Sequence, residues 1–174
     1  MANISPLQSL LAFQPIDRTR RNHGLEHATI TLLSQKHRGL SMVGRSTSNG
    51  FYLYGNVSTE AVEQAAREAL QRMKAGEHYL AVHPNCGTNF VTAGFAAAAA
   101  AFVGFLGAGN WRARLERLPF VAALITLALI FAQPLGLVIQ RDITTSGEMR
   151  ELEIIGITRK QQGTVMVHTV TTHG

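Results

Sequence analysis

Between residues 22 and 35, Leu25, Ala28, Ile30, Leu32 and Leu33 supply an apolar surface. Asn22 offers a cap, so the pattern predicts a helix there. After Gly39 the spacing changes. Residues 40–45 and 51–55 read as β-prone runs joined by the turn signal Ser48-Asn49-Gly50. Ser58 or Thr59 then caps a second helix running to about residue 75, with Val62, Ala65, Ala66, Ala69, Leu70 and Met73 on one face. Gly76 stops it. Residues 78–83 alternate as a strand would. The predicted unit, residues 22–89, is a small α+β domain.

The pattern then breaks. Residues 90–109 and 118–139 carry no charge at all. As a helix, the first stretch spans roughly 30 Å, the thickness of bilayer hydrocarbon. The second is richer in large apolar side chains, with Pro119 in its first turn and Gln133 and Pro134 inside it. A soluble chain this short has little polar sequence to cover such a hairpin, so two membrane spans over residues 90–139 are expected. Gly94, Ala98, Ala101, Gly104 and Ala108 offer small surfaces for close packing against partner helices or a second copy. The link at 110–117 holds Trp111 and three arginines, suited to a membrane interface.

After the membrane, residues 149–158 and 164–172 read as two strands within a C-terminal β segment, 140–174. They emerge on the same side as the first domain and are expected to complete its sheet. Residues 1–21 form an N-terminal segment with a short interfacial helix carrying Leu7, Leu10, Leu11 and Phe13.

The formal charge of +5 is dispersed, with no run dense enough for a nucleic-acid arm; the partner it implies is the lipid bilayer. Arginines in the link and in the first domain pull the orientation in opposite directions. The first 17 residues make a poor secretory signal, so both soluble parts are expected in the cytoplasm. The single cysteine, Cys86, excludes an internal disulfide.

The sharpest chemical pattern is His23-Gly24-Leu25-Glu26-His27. His23 and His27, four apart, share a helix face and can ligate one zinc ion. Glu26 beside them can take a proton from water activated by the metal. His83 and Cys86, in the turn that precedes the first span, are weaker candidates; all four ligands together would make a closed, structural site. Otherwise the turn simply caps the domain.

Locally, His-x-Leu-Glu-His resembles the inverse zinc-binding motif of pitrilysin-like peptidases. That resemblance implies His23 and His27 as ligands, Glu26 as general base, and a downstream glutamate as third ligand, for which Glu63, Glu68 and Glu77 are available. Across most of the chain, HGLEHATITLLS, SNGFYLYGNVSTEAVEQAAREALQRMKAGE, LAVHPNCGTN and RDITTSG resemble a family of uncharacterised two-span membrane proteins of cyanobacteria and green non-sulfur bacteria. This implies a multi-pass protein of the bacterial inner membrane, or of the thylakoid in a photosynthetic host. Two functions follow as expectations: a membrane-embedded, zinc-dependent hydrolase-like protein acting on peptides, or a noncatalytic subunit of a membrane complex with a structural metal.

Overall fold

The computed structural model describes residues 5–37 and 39–174. The first four residues of the expected N-terminal segment, and Arg38, lie outside them. The chain divides into two units, one of residues 1–83 and 141–174, the other Pro84–Gln140.

The first unit opens with a short helix, α1 (Pro6–Leu11), closed by a reciprocal Ser5–Gln8 capping box. Helix α2 runs from Gln14 to Lys36, so it starts well before Asn22. The polar run at 17–22 precedes the helix expected from Asn22, yet it is helical, and Asp17 and Asn22 within it are tied to partners. Asp17 pairs with Arg21 at 3.2 Å and accepts from Arg150 at 3.3 Å. Asn22, fully buried, is no cap. It donates to the Thr47 carbonyl at 2.9 Å and accepts from the Thr172 hydroxyl at 2.7 Å.

Strands β1 (Val43–Thr47) and β2 (Gly50–Tyr54) form a hairpin with Thr47 opposite Gly50. Gly50 has φ +135°, and a Cβ there would lie 2.0 Å from the Val170 carbonyl oxygen, so glycine lets the neighbouring strand close on the turn. Helix α3 (Thr59–Lys74) is capped by Ser58, whose hydroxyl accepts from the Ala61 amide. Residues 78–83 are not a strand: His78–Ala81 form a 3-10 helix. Leu80 and Ala81 are both buried there, and the His78 backbone packs on Gly147, a burial that period-two alternation does not provide.

Strands β3 (Glu153–Gln162) and β4 (Val165–His173) complete one open, antiparallel, four-stranded sheet of order β1-β2-β4-β3. The C-terminal strand is therefore internal. Leu25, Leu32, Leu33, Phe51, Leu53, Val62, Met73 and Val170 make a continuous core between helices and sheet.

The second unit holds two long apolar helices, α4 (Gly87–Phe105) and α5 (Trp111–Ile139), the latter running on into a π-helical turn at Gln140–Thr144. Both are long and apolar enough to cross a membrane. Only 11% of each apolar window is buried inside the molecule, whereas a soluble core helix would be mostly covered. Their surface carries exposed Phe95, Phe102, Phe120 and Phe131. This supports a membrane location. The arginine-rich link is shorter than expected. Asn110 caps α5 by accepting from the Ala113 amide at 2.9 Å, so Arg112, Arg114 and Arg117 already belong to the helix, and Pro119 lies in its interior. The tight connection is held by Arg117 and Arg114, which donate to the carbonyls of Leu106 and Ala108. The helices approach closely at Gly104, where a Cβ would meet Val121 at 2.7 Å.

Candidate metal centre

His23 and His27 lie one turn apart on α2, with ring centroids 4.4 Å apart. Their surroundings fix which nitrogen each can offer. The Nδ1 atom of His23 is 2.9 Å from the Thr144 carbonyl oxygen, and that of His27 is 2.7 Å from the Ala81 carbonyl oxygen. A carbonyl only accepts, so each Nδ1 carries the proton and donates. Each Nε2 then presents its lone pair. Backbone carbonyls that orient an imidazole in this way are the usual outer layer of a metal site.

Gly24 makes the close approach possible: a Cβ there would sit 2.2 Å from the Ser146 carbonyl oxygen and 3.1 Å from the Ala81 side chain. His27 is buried and His23 partly so. His23, His27 and His83 belong to the first unit and Cys86 to the second. Imidazole nitrogens are donors that suit zinc. The His83 ring is 5.8 Å from that of His27. Burial, and secondarily the neighbouring His27, hold His83 below the usual imidazole pKa, and a neutral imidazole is the ligating form.

Glu26 is turned towards β1. Its Oε2 accepts from the Ser46 hydroxyl at 2.5 Å, and its Oε1 lies where a Cβ on Gly44 would come within 2.0 Å. Glycine at 44 therefore makes room for the carboxylate. Burial pushes this carboxyl above the usual range, while the Ser46 bond and the charge of His23 pull the other way.

The other carboxylates are committed elsewhere. Glu63 pairs with Arg67 at 2.9 Å, and Glu68 pairs with Lys36 at 2.7 Å. Glu77 accepts from Arg72 and Tyr79, chiefly from Arg72, which brings its carboxyl down to about 2. None of the three groups with His23 and His27 among the described residues. Sequence reading did not find the supports Ser46, Ala81 and Thr144, or the space at Gly44 and Gly24. Two of these supports act through backbone carbonyls, which any residue type provides. The glycines inside a strand and a helix were the available signal.

Comparison with known proteins gives three findings. The sequence profile of a family described as a domain of unknown function, DUF6391, matches residues 18–157. An uncharacterized protein of the cyanobacterium Picosynechococcus sp. is 38% identical over 95 residues, covering 47% of this chain and 46% of that protein, so the match spans about half the relative's length. No solved structure matches.

Proposed function

The chain belongs to the DUF6391 family, and from that premise we propose that it is a membrane-anchored zinc protein with hydrolase-like chemistry, acting on peptide or related acyl substrates. His23 and His27 would hold the ion, with one of His83 and Cys86 from the turn that precedes the first apolar helix as third ligand. The observation that supports the reading is the pair of Nδ1–H bonds to the carbonyls of Thr144 and Ala81, which leave the lone pair of each imidazole on Nε2. Three protein ligands leave an open coordination position, the mark of catalytic rather than structural zinc. Zinc bound there would supply Lewis acidity, making water a nucleophile near neutral pH. The chain's own part would be Glu26. It lies three residues from His23 on the same helix and is braced through Oε2 by Ser46. A turn of the side chain away from Gly44 would bring its Oε1 to accept the proton of the attacking water.

A second reading has one observation in its favour, the nearness of the His83 ring to His27. With His83 as fourth ligand the site would be closed and would only staple the domain, as in a noncatalytic subunit of a membrane complex.

Elemental analysis of untagged protein in mild detergent separates these outcomes. Near-stoichiometric zinc is expected in the wild type, with its loss in His23→Ala/His27→Ala and marked weakening in only one of Cys86→Ser and His83→Ala. Glu26→Gln is expected to keep the metal and lose hydrolysis of a peptide library by about a hundredfold or more, the usual share of a general base. Absence of metal after attempted zinc reconstitution sinks the whole reading. Zinc weakened by both Cys86→Ser and His83→Ala, with no hydrolysis, would leave only the structural site.

A further inference from the structure

The second unit contains a feature that the metal reading does not use. A groove of about 400 Å³ opens between α4 and α5, lined by Asn85, Asn89, Phe90, Ala93, Gln133 and Leu137. Its depth follows from helix geometry. Ala93 and Gln133 lie three and six residues inside the charge-free runs 90–109 and 118–139, or about 5 and 9 Å along the axis. That is inside the hydrocarbon of a bilayer spanned by these helices.

The polar groups around the groove are arranged unequally. Asn89 is fixed: its amide donates to the Pro84 carbonyl at 2.6 Å, and its oxygen accepts from Gln140 at 2.6 Å. Gly136 gives it room, since a Cβ there would lie 2.5 Å from the Asn89 oxygen. Gln133, one turn from Leu137 on the same face, is exposed, and its side-chain amide makes no hydrogen bond among the described residues. An amide without a partner at this depth costs several kcal/mol in lipid. The next residue, Pro134, has no N–H, so the carbonyl of Ile130 loses its helical donor as well. No charged side chain lines the groove, which disfavours a phosphate or an ammonium. Phe90 supplies an aromatic wall suited to a flat ring.

We propose that this groove binds the head of a neutral, carbonyl-bearing, membrane-soluble molecule of the quinone class, with Gln133 donating to a ring carbonyl and the apolar tail leaving along Ala93 and Leu137 into the lipid. The occupant is neutral because the lining is neutral. It comes from the lipid phase because that is where the unpartnered amide lies. This site is independent of the metal.

The test is photolabelling of the full chain, in lipid nanodiscs, with a benzoquinone that carries an azide and a decyl tail. Adducts are expected on the peptides holding Phe90–Ala93 and Gln133–Leu137, and excess unlabelled decyl benzoquinone should suppress them. Gln133→Leu should cut labelling about fivefold, the equivalent of one neutral hydrogen bond. Ala93→Phe, which fills the groove without touching the amide, should abolish it. Circular dichroism confirms that both variants are folded. Adducts that are not suppressed, or that persist undiminished in both variants, overturn the proposal. So does equal suppression by a neutral diacyl lipid, which would assign the groove to bilayer lipid. Absent labelling, with a change of oligomeric state on Gln133→Leu, would overturn it in favour of a second copy of the chain.

Discussion

Single residues do two kinds of work in this protein, and Asn22 shows how easily they are confused. In sequence it stands where a helix cap would stand. In the fold it is fully buried in the middle of α2 and ties that helix to β1 and β4 through Thr47 and Thr172. Cap-forming residues are recognised by local order, but a buried amide is satisfied by partners 25 and 150 positions away, which local order does not record. The same holds for His23 and His27: their spacing was legible, whereas the carbonyls that fix their tautomers were not. Replacing Asn22 by Leu strands the Thr47 carbonyl and the Thr172 hydroxyl in the interior. The expected cost is about 1–3 kcal/mol per abandoned group, read as a lower denaturant midpoint. An unchanged midpoint would mean that these bonds contribute nothing.

Among the elements, the long ones were legible and the short irregular ones were not. The two charge-free runs, the Ser58-capped helix and the hairpin at 48–50 follow from patterns that local physics enforces. The 3-10 helix at His78–Ala81 does not, because its shape is set by burial of Leu80 and Ala81 and by Gly147 against its backbone. Strand β4 carries another consequence of burial. His168 is fully buried there, its Nε2 3.3 Å from the Thr59 hydroxyl and its Nδ1 without a partner among the described residues. Leu53 and Arg159 are its cross-strand neighbours, and Glu60 lies on the helix side. Burial, and next the charge of Arg159, depress its pKa, with Glu60 opposing. The folded state thus binds the proton less readily than the unfolded chain does. The stability that neutral His168 brings is complete above its ordinary value of 6.5 and is lost as pH falls through the lower folded value. Unfolding free energy should therefore decline on acidification below about pH 6.5, and His168→Gln should make that slope shallower. Equal slopes in the two proteins would remove His168 as the cause.

For the whole molecule, the decisive fact is that the first unit is discontinuous in sequence. Its helices and first hairpin precede the two membrane-length helices, and its last two strands follow them. The C-terminal strand is not an appendage to an otherwise finished sheet. β4 lies between β2 and β3 and supplies Val170 to the core and Thr172 to Asn22. Without it β2 becomes an edge with a row of unpaired backbone groups, and β3 has no neighbour at all. The sheet therefore cannot close until the last nine-residue strand has been made, after both apolar helices have left the ribosome. A chain ending after Gln162 should consequently keep its two apolar helices in the membrane fraction while residues 14–83 become sensitive to trypsin at Arg18, Arg20, Arg67 and Arg72. Those sites should stay protected in the full-length protein on the same side of the membrane. Supplying residues 163–174 as a separate peptide should restore part of the protection, since the sheet register is intact on either side of the gap. Full protection in the truncated chain would show that the first unit is stable without its internal strand, and would demote β4 from a structural necessity to a late addition.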